Sequence, residues 1–301
     1  NKISRVWEQT AEEKGNIKMN KIKFTANKDT NFVFHMLSVA RCGYNNAYGE
    51  AYRKYYPEED LTVISQSREL LTVCGGEHCG ALFWLMVSEA ACAKISAKDY
   101  YAGLIEKAAQ DELPEPFRKY AETVRSISAV MIKYYDHYAD QIWPKEKEKI
   151  EAYIPRMLSL FEESGFTDRA EEYVGCKLGS DFFTATLVTS VQNGAEAIDI
   201  SKEQDVFGIE RTPVDSFYFI GHEFIIYLLM NALKDENAFR NFNTWGLTEG
   251  LAEYYLKKIM GDVRFFDSQQ KYVELYEKWN ENGRMTAAEL YRMELQREGI
   301  S

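Results

Sequence analysis

The chain has 301 residues, a formal net charge of −11, 46% hydrophobic and 14% aromatic residues, and only 18 Gly and 6 Pro. That is ample apolar material for a packed core; it excludes disordered and collagen-like compositions and leaves no basic footprint for nucleic acid or an anionic membrane. Five cysteines predict no disulfide framework, and the longest apolar stretch, Ala81–Val87, is far short of the about 20 residues a bilayer span needs. The expectation is a cytoplasmic protein of about two domains with no nucleic-acid or membrane partner, although a start at Asn1 leaves a removed leader open.

Residues 2–14, with Ile3, Val6 and Trp7 at helical spacing, read as a helix that stops at Gly15. The segment IKMNKIKF (17–24) has β character. A turn at Asn27–Asp29 then leads to a helix through Phe32, Met36 and Val39 that Thr30 can cap. Tyr44, Tyr48, Tyr52 and Tyr55 share a helical face that ends at Pro57, and their default role is helix packing rather than a binding platform. A further helix ends at Gly75-Gly76, the run from Ala81 reads as a buried helix, and Ser96 opens another. Pro116 fits the first turn of a long helix reaching about Gln141. From Pro144 a Lys- and Glu-rich helix carries Ile150, Ile154, Met157, Leu158 and Phe161 as its apolar stripe, with its charges read as a solvated face.

At about residue 166 the pattern changes. Residues 182–189 (FFTATLVT) are β-branched and aromatic, Gln192-Asn193-Gly194 is a hairpin signal, and residues 195–200 (AEAIDI) alternate. With a short strand at Val206–Ile209, residues 166–212 read as a small antiparallel sheet. Helices return after Pro213: Asp215 is the candidate N-cap of a central buried helix through Phe217 and Leu233. Residues 248–260 and 264–282 make two more, and Thr286-Ala-Ala-Glu289 is a capping box for the last.

One pair breaks the apolar grammar. His222-Glu223 interrupts the run FYFIGHEFIIYLLM, where polar groups cost free energy unless they are paired or face a cleft. Glu249 follows 27 positions after His222, inside Trp245-Gly-Leu-Thr-Glu-Gly-Leu-Ala-Glu-Tyr254; Glu249 and Glu253, four apart, share a helix face. The order of His-Glu helix, spacer and W-x-x-x-E-G-x-A-E-Y resembles the gluzincin metallopeptidases, of the thermolysin and aminopeptidase type, over about residues 170–260. In that family two His at i and i+4 and a Glu from the second helix bind zinc, and the Glu after the first His is the general base on the metal-bound water. The resemblance makes His222 the first ligand, Glu249 the third, Glu223 the base, and Glu253 the carboxylate that orients His222. The second ligand position holds Ile226, because the chain reads HEFII where the family has H-E-x-x-H; Ile225, Leu229 and Met230 offer no donor, and Tyr227 belongs to another face. Two protein ligands fall short of the three or four that zinc sites use, so a metal-free site is expected, with zinc the cofactor to test.

The reading that results is an α+β fold, mainly α. A helical region, 1–165, precedes a gluzincin-like region, 166–301, with a small antiparallel sheet and a central His-Glu helix. Its implied function is that of a degenerate metallopeptidase-like protein, catalytically inactive, which binds a peptide or protein segment in the former active-site cleft. Two other readings stand beside it: an active metal-dependent peptidase with a non-standard zinc site, and a helical interaction protein whose His-Glu pair is purely structural. Cys74-Gly-Gly-Glu-His78-Cys79 reads as buried thiols at a turn, since zinc knuckles come in pairs and Cys92 completes no closed site. His35 and His137 read as packed or surface histidines, and no nucleotide-binding or serine-hydrolase glycine motif is present.

Overall fold

The structure, a computed structural model, describes residues 20–72, 80–192, 194–209, 212–236, 238, 244–261 and 269–300. The helix expected at 2–14 and the Cys74–Cys79 cluster lie outside them. The backbone falls into two compact units: Phe24–Pro155 with Thr184–Pro213, and Asn1–Lys23 with Arg156–Phe183 and Val214–Ser301. This is not the division into 1–165 and 166–301, because the strands after residue 183 join the sheet of the first unit and the last turns of the long charged helix belong to the second.

In the first unit, α1 (Lys28–Val39) is the central helix; every residue from Thr30 to Val39 is buried. Asn27, rather than Thr30, caps it, its side chain accepting from the Thr30 amide. Around it stand α2 (Ala47–Arg53), α3 (Glu58–Ser65), the single turn α4 (Arg68–Leu71), a wide π-type turn at Trp84–Ser88 continuing into α5 (Glu89–Cys92), and α6 (Ala97–Ala109), which Ser96 caps. A 3-10 turn at Glu115–Tyr120 opens α7 (Ala121–His137). A second π-type turn, Tyr138–Ile142, then runs without a break into α8 (Trp143–Ser164), so the expected helix end near Gln141 is a widening of one long helix instead. Phe32, Phe34, Met36, Leu61, Met86, Leu104, Val124, Met131 and Tyr138 fill the core between these helices.

The strands β1 (Ile22–Thr25), β2 (Phe183–Val188), β3 (Ala195–Asp199) and β4 (Gln204–Gly208) form a mixed sheet in the order β1-β2-β4-β3. β2 runs parallel to β4, with Thr184 opposite Gln204, and β3 runs antiparallel to β4. The mainly α, α+β class holds, but the sheet is not all antiparallel. β2 and β3 do not pair as a hairpin about Asn193-Gly194: β4 lies between them, and the hairpin turn is at 200–203, where Glu203 sits at φ 51°. All of β2 except Thr184 is buried, and a strand buried on both faces is stable where it has neighbours on both edges.

The second unit holds the end of α8, α9 (Phe166–Val174), α10 (Pro213–Ala232), α11 (Trp245–Met260), α12 (Gln270–Trp279) and α13 (Ala287–Glu298). α10 begins at Pro213, which places Asp215 in its first turn rather than at the N-cap. The Thr286–Glu289 capping box forms in full at the start of α13. Phe161, Phe166, Phe217 and Phe224 make an aromatic core, with Phe161 and Phe217 centroids 4.5 Å apart at a steep angle. Among the described residues no helix is long and apolar enough to cross a membrane.

Candidate functional site

α10 is buried along most of its length, and His222 sits in its middle with only 1% of its surface exposed. An imidazole there must find partners. They come from α11, where Glu249 and Glu253, one turn apart, both face it. Glu249 Oε2 lies 2.9 Å from Nε2, and Glu253 Oε1 lies 3.2 Å from Nδ1. Two glycines let helices close around this pairing. A Cβ on Gly221 would meet the Phe166 ring at 2.8 Å, and one on Gly250 would meet Tyr272 Cβ at 2.5 Å. The Gly of the E-G-x-A-E-Y block is therefore required by the approach of α12 to α11.

A ring that faces a carboxylate at each nitrogen donates twice only as imidazolium. Burial opposes that charge, but the hydrogen bond to Glu249 and the close carboxylate of Glu253, with the charge of Glu223 behind them, override it and push His222 up to about 10. His222 is thus a cation seated between two carboxyl groups. Glu253 has 1% of its side chain exposed and Glu249 18%, so the Glu249 side of the clamp is where solvent reaches. Glu223 is half-buried beside His222.

His222, Glu249 and Glu253 are brought together, and Glu223 lies next to His222 in the chain. Ile226, one turn on from His222, is 5% exposed and apolar. The residues present do not fit zinc: one imidazole nitrogen and one carboxylate are fewer donors than a zinc site takes, and that nitrogen already faces Glu249. Among the described residues no group of three or more His, Cys, Asp or Glu is placed to hold a metal ion. What the arrangement can do as it stands is hold a proton and lock α10 to α11.

A second buried polar set lies in the first unit. His35 is wholly buried; its Nδ1 is 2.5 Å from the Tyr48 hydroxyl and its Nε2 2.6 Å from that of Tyr56. Glu146, 2% exposed, accepts from Tyr48 at 2.5 Å and from Tyr138 at 2.6 Å. Since Tyr48 gives its one proton to Glu146, His35 carries its proton on Nδ1 and accepts from Tyr56 at Nε2. Burial keeps His35 neutral, with its pKa lowered to about 3. Glu146 corrects the reading of its segment as a solvated face. The signal was present: Glu146 stands four residues from both Ile142 and Ile150, on the buried stripe itself.

No family model matches the chain, and no curated protein or solved structure matches it.

Proposed function

We propose that the chain is a degenerate metallopeptidase-like protein, in which a gluzincin-type His/Glu constellation persists as an ion-paired lock without peptide hydrolysis. The observation that carries this reading is the His222 ring seated between Glu249 at Nε2 and Glu253 at Nδ1, with buried Ile226 one turn away. A carboxylate on each ring nitrogen is the pairing that the family's ligand and orienting carboxylate would give to its first His, and Ile226 stands where the second imidazole would be. Without that imidazole Glu223 has no polarised water to deprotonate, and its charge serves the His222 cation instead. The ligand class is a peptide or protein segment, for which the partly exposed Glu249 offers an anionic partner to an amine or a basic side chain.

Calorimetric titration with zinc tests this. The wild type is expected to bind weakly, with no peptidase turnover in excess zinc, while Ile226→His gains at least the 10–100-fold that even an outer partner of a metal site contributes, roughly. Tight stoichiometric binding by the wild type would instead support an active hydrolase. No gain by Ile226→His would mean that position 226 does not face the ligand site, and the family reading would fall.

A further inference from the structure

In the first unit, Tyr52, which packs on Tyr48, lines an open cavity of about 500 Å³ together with Lys54, Tyr55, His137, Gln141 and Lys145. That volume lies within the range of roughly 300–1,000 Å³ typical of small-molecule sites. Its charge is the opposite of the chain's. The chain carries −11, yet apart from the tyrosine hydroxyls every ionisable side chain in the lining is basic. Among the described residues neither Lys54 nor Lys145 has a carboxylate at ion-pair distance, and Lys54 Nζ rests 5.1 Å above the centre of the Tyr55 ring. A cationic pocket in an acidic protein attracts and holds an anion locally against the field of the whole.

Two aromatic rings line the cavity, and the inner one, Tyr52, is held in place. The Tyr52 ring stands 5.4 Å from His35 and 4.7 Å from Tyr48, both pinned by the buried hydrogen bonds that end on Glu146; Tyr55 lies 6.3 Å away, tilted, and 57% exposed. One wall is the long helix at its π-type turn, Tyr138–Ile142, which lies between His137 and Lys145. Such widenings recur where helices line functional sites.

We propose that this cavity binds a small anion carrying a flat ring, its anionic head held by Lys54, Lys145 and His137 and its ring against Tyr52 and Tyr55. A phosphate ester and a carboxylate share that chemistry, so calorimetry with phenyl phosphate, benzoate and inorganic phosphate separates head group from ring. Saturable binding of phenyl phosphate or benzoate is expected, weaker for the ringless phosphate. Lys54→Ala/Lys145→Ala should weaken it about tenfold or more, the worth of one charge-assisted hydrogen bond. Lys119→Ala, which lies outside the lining, should leave it unchanged, and Tyr52→Leu should weaken only the ring-bearing anions. The two lysines are exposed, so an unchanged melting temperature shows that the double variant is folded. No saturable binding by either ring-bearing probe, undiminished binding by the double lysine variant, or inorganic phosphate binding as tightly as phenyl phosphate would each overturn the proposal.

Discussion

The two carboxylates on His222 are unequal, and the difference is measurable. Glu253 and His222 are each 1% exposed, so Glu253→Ala leaves a buried cation half-paired where water cannot replace the lost oxygen. Breaking a buried pair in this way costs about 3–5 kcal/mol. Glu249 retains 18% exposure, and water can take its place at Nε2, so Glu249→Ala should cost clearly less. Urea unfolding of the two variants measures both, and equal costs would refute the ranking. This set was legible in the sequence because each member breaks a local rule: a His-Glu pair inside an apolar run, and two Glu at helical spacing beside a Gly. Glu146 was not, because it lies among like residues from Lys145 to Lys149, where one buried carboxylate does not stand out unless the 142-146-150 stripe is followed through it.

Among the elements, glycine makes opposite demands in two helices. Gly250, inside α11, meets Tyr272 at its Cβ, an atom that cannot swing aside, so Gly250→Ala forces α12 away and should cost about 1–3 kcal/mol. Gly103, inside α6, has nothing within 4 Å of an added Cβ, and Gly103→Ala should stabilise by about 1 kcal/mol through backbone entropy and helix propensity. Thermal unfolding of both variants checks the opposite signs; stabilisation by Gly250→Ala would show that the helices are not in close approach. Local chemistry made these elements readable. The Ser96 cap and the Thr286–Glu289 box each close within four residues, and both form as the sequence suggests. Strand pairing did not, because Gln192-Asn193-Gly194 marks a change of direction without naming the partner. The insertion of β4 beside β2 is decided by burial of both β2 faces, a non-local demand. The absence of any charged side chain from Phe183–Val188, with its β-branched and aromatic residues, was the clue to an inner strand.

For the molecule as a whole, the buried titratable groups give the two units different responses to pH. His222 is raised from 6.5 to about 10, so the folded chain keeps a proton that the unfolded chain releases across that window. Its contribution to stability is complete below about pH 6.5 and is lost as pH rises toward 10. In the other unit, burial raises Glu196 from 4.5 to about 7, a contribution already spent by that pH, and raises the Cys42 and Cys92 thiols from 9.0 to about 12 and 11, contributions lost only above 9. His35, lowered to about 3, has its stabilising neutral form in place throughout that interval. Between pH 7 and 9, then, α10 and α11 should lose protection against hydrogen exchange, corrected for intrinsic rates, faster than α1 and α6 do. His222→Gln removes the titrating proton and should flatten the pH dependence of α10 and α11 while lowering their protection at pH 7. A slope that survives the substitution would assign the alkaline loss to another group and return His222 to the ordinary histidine range.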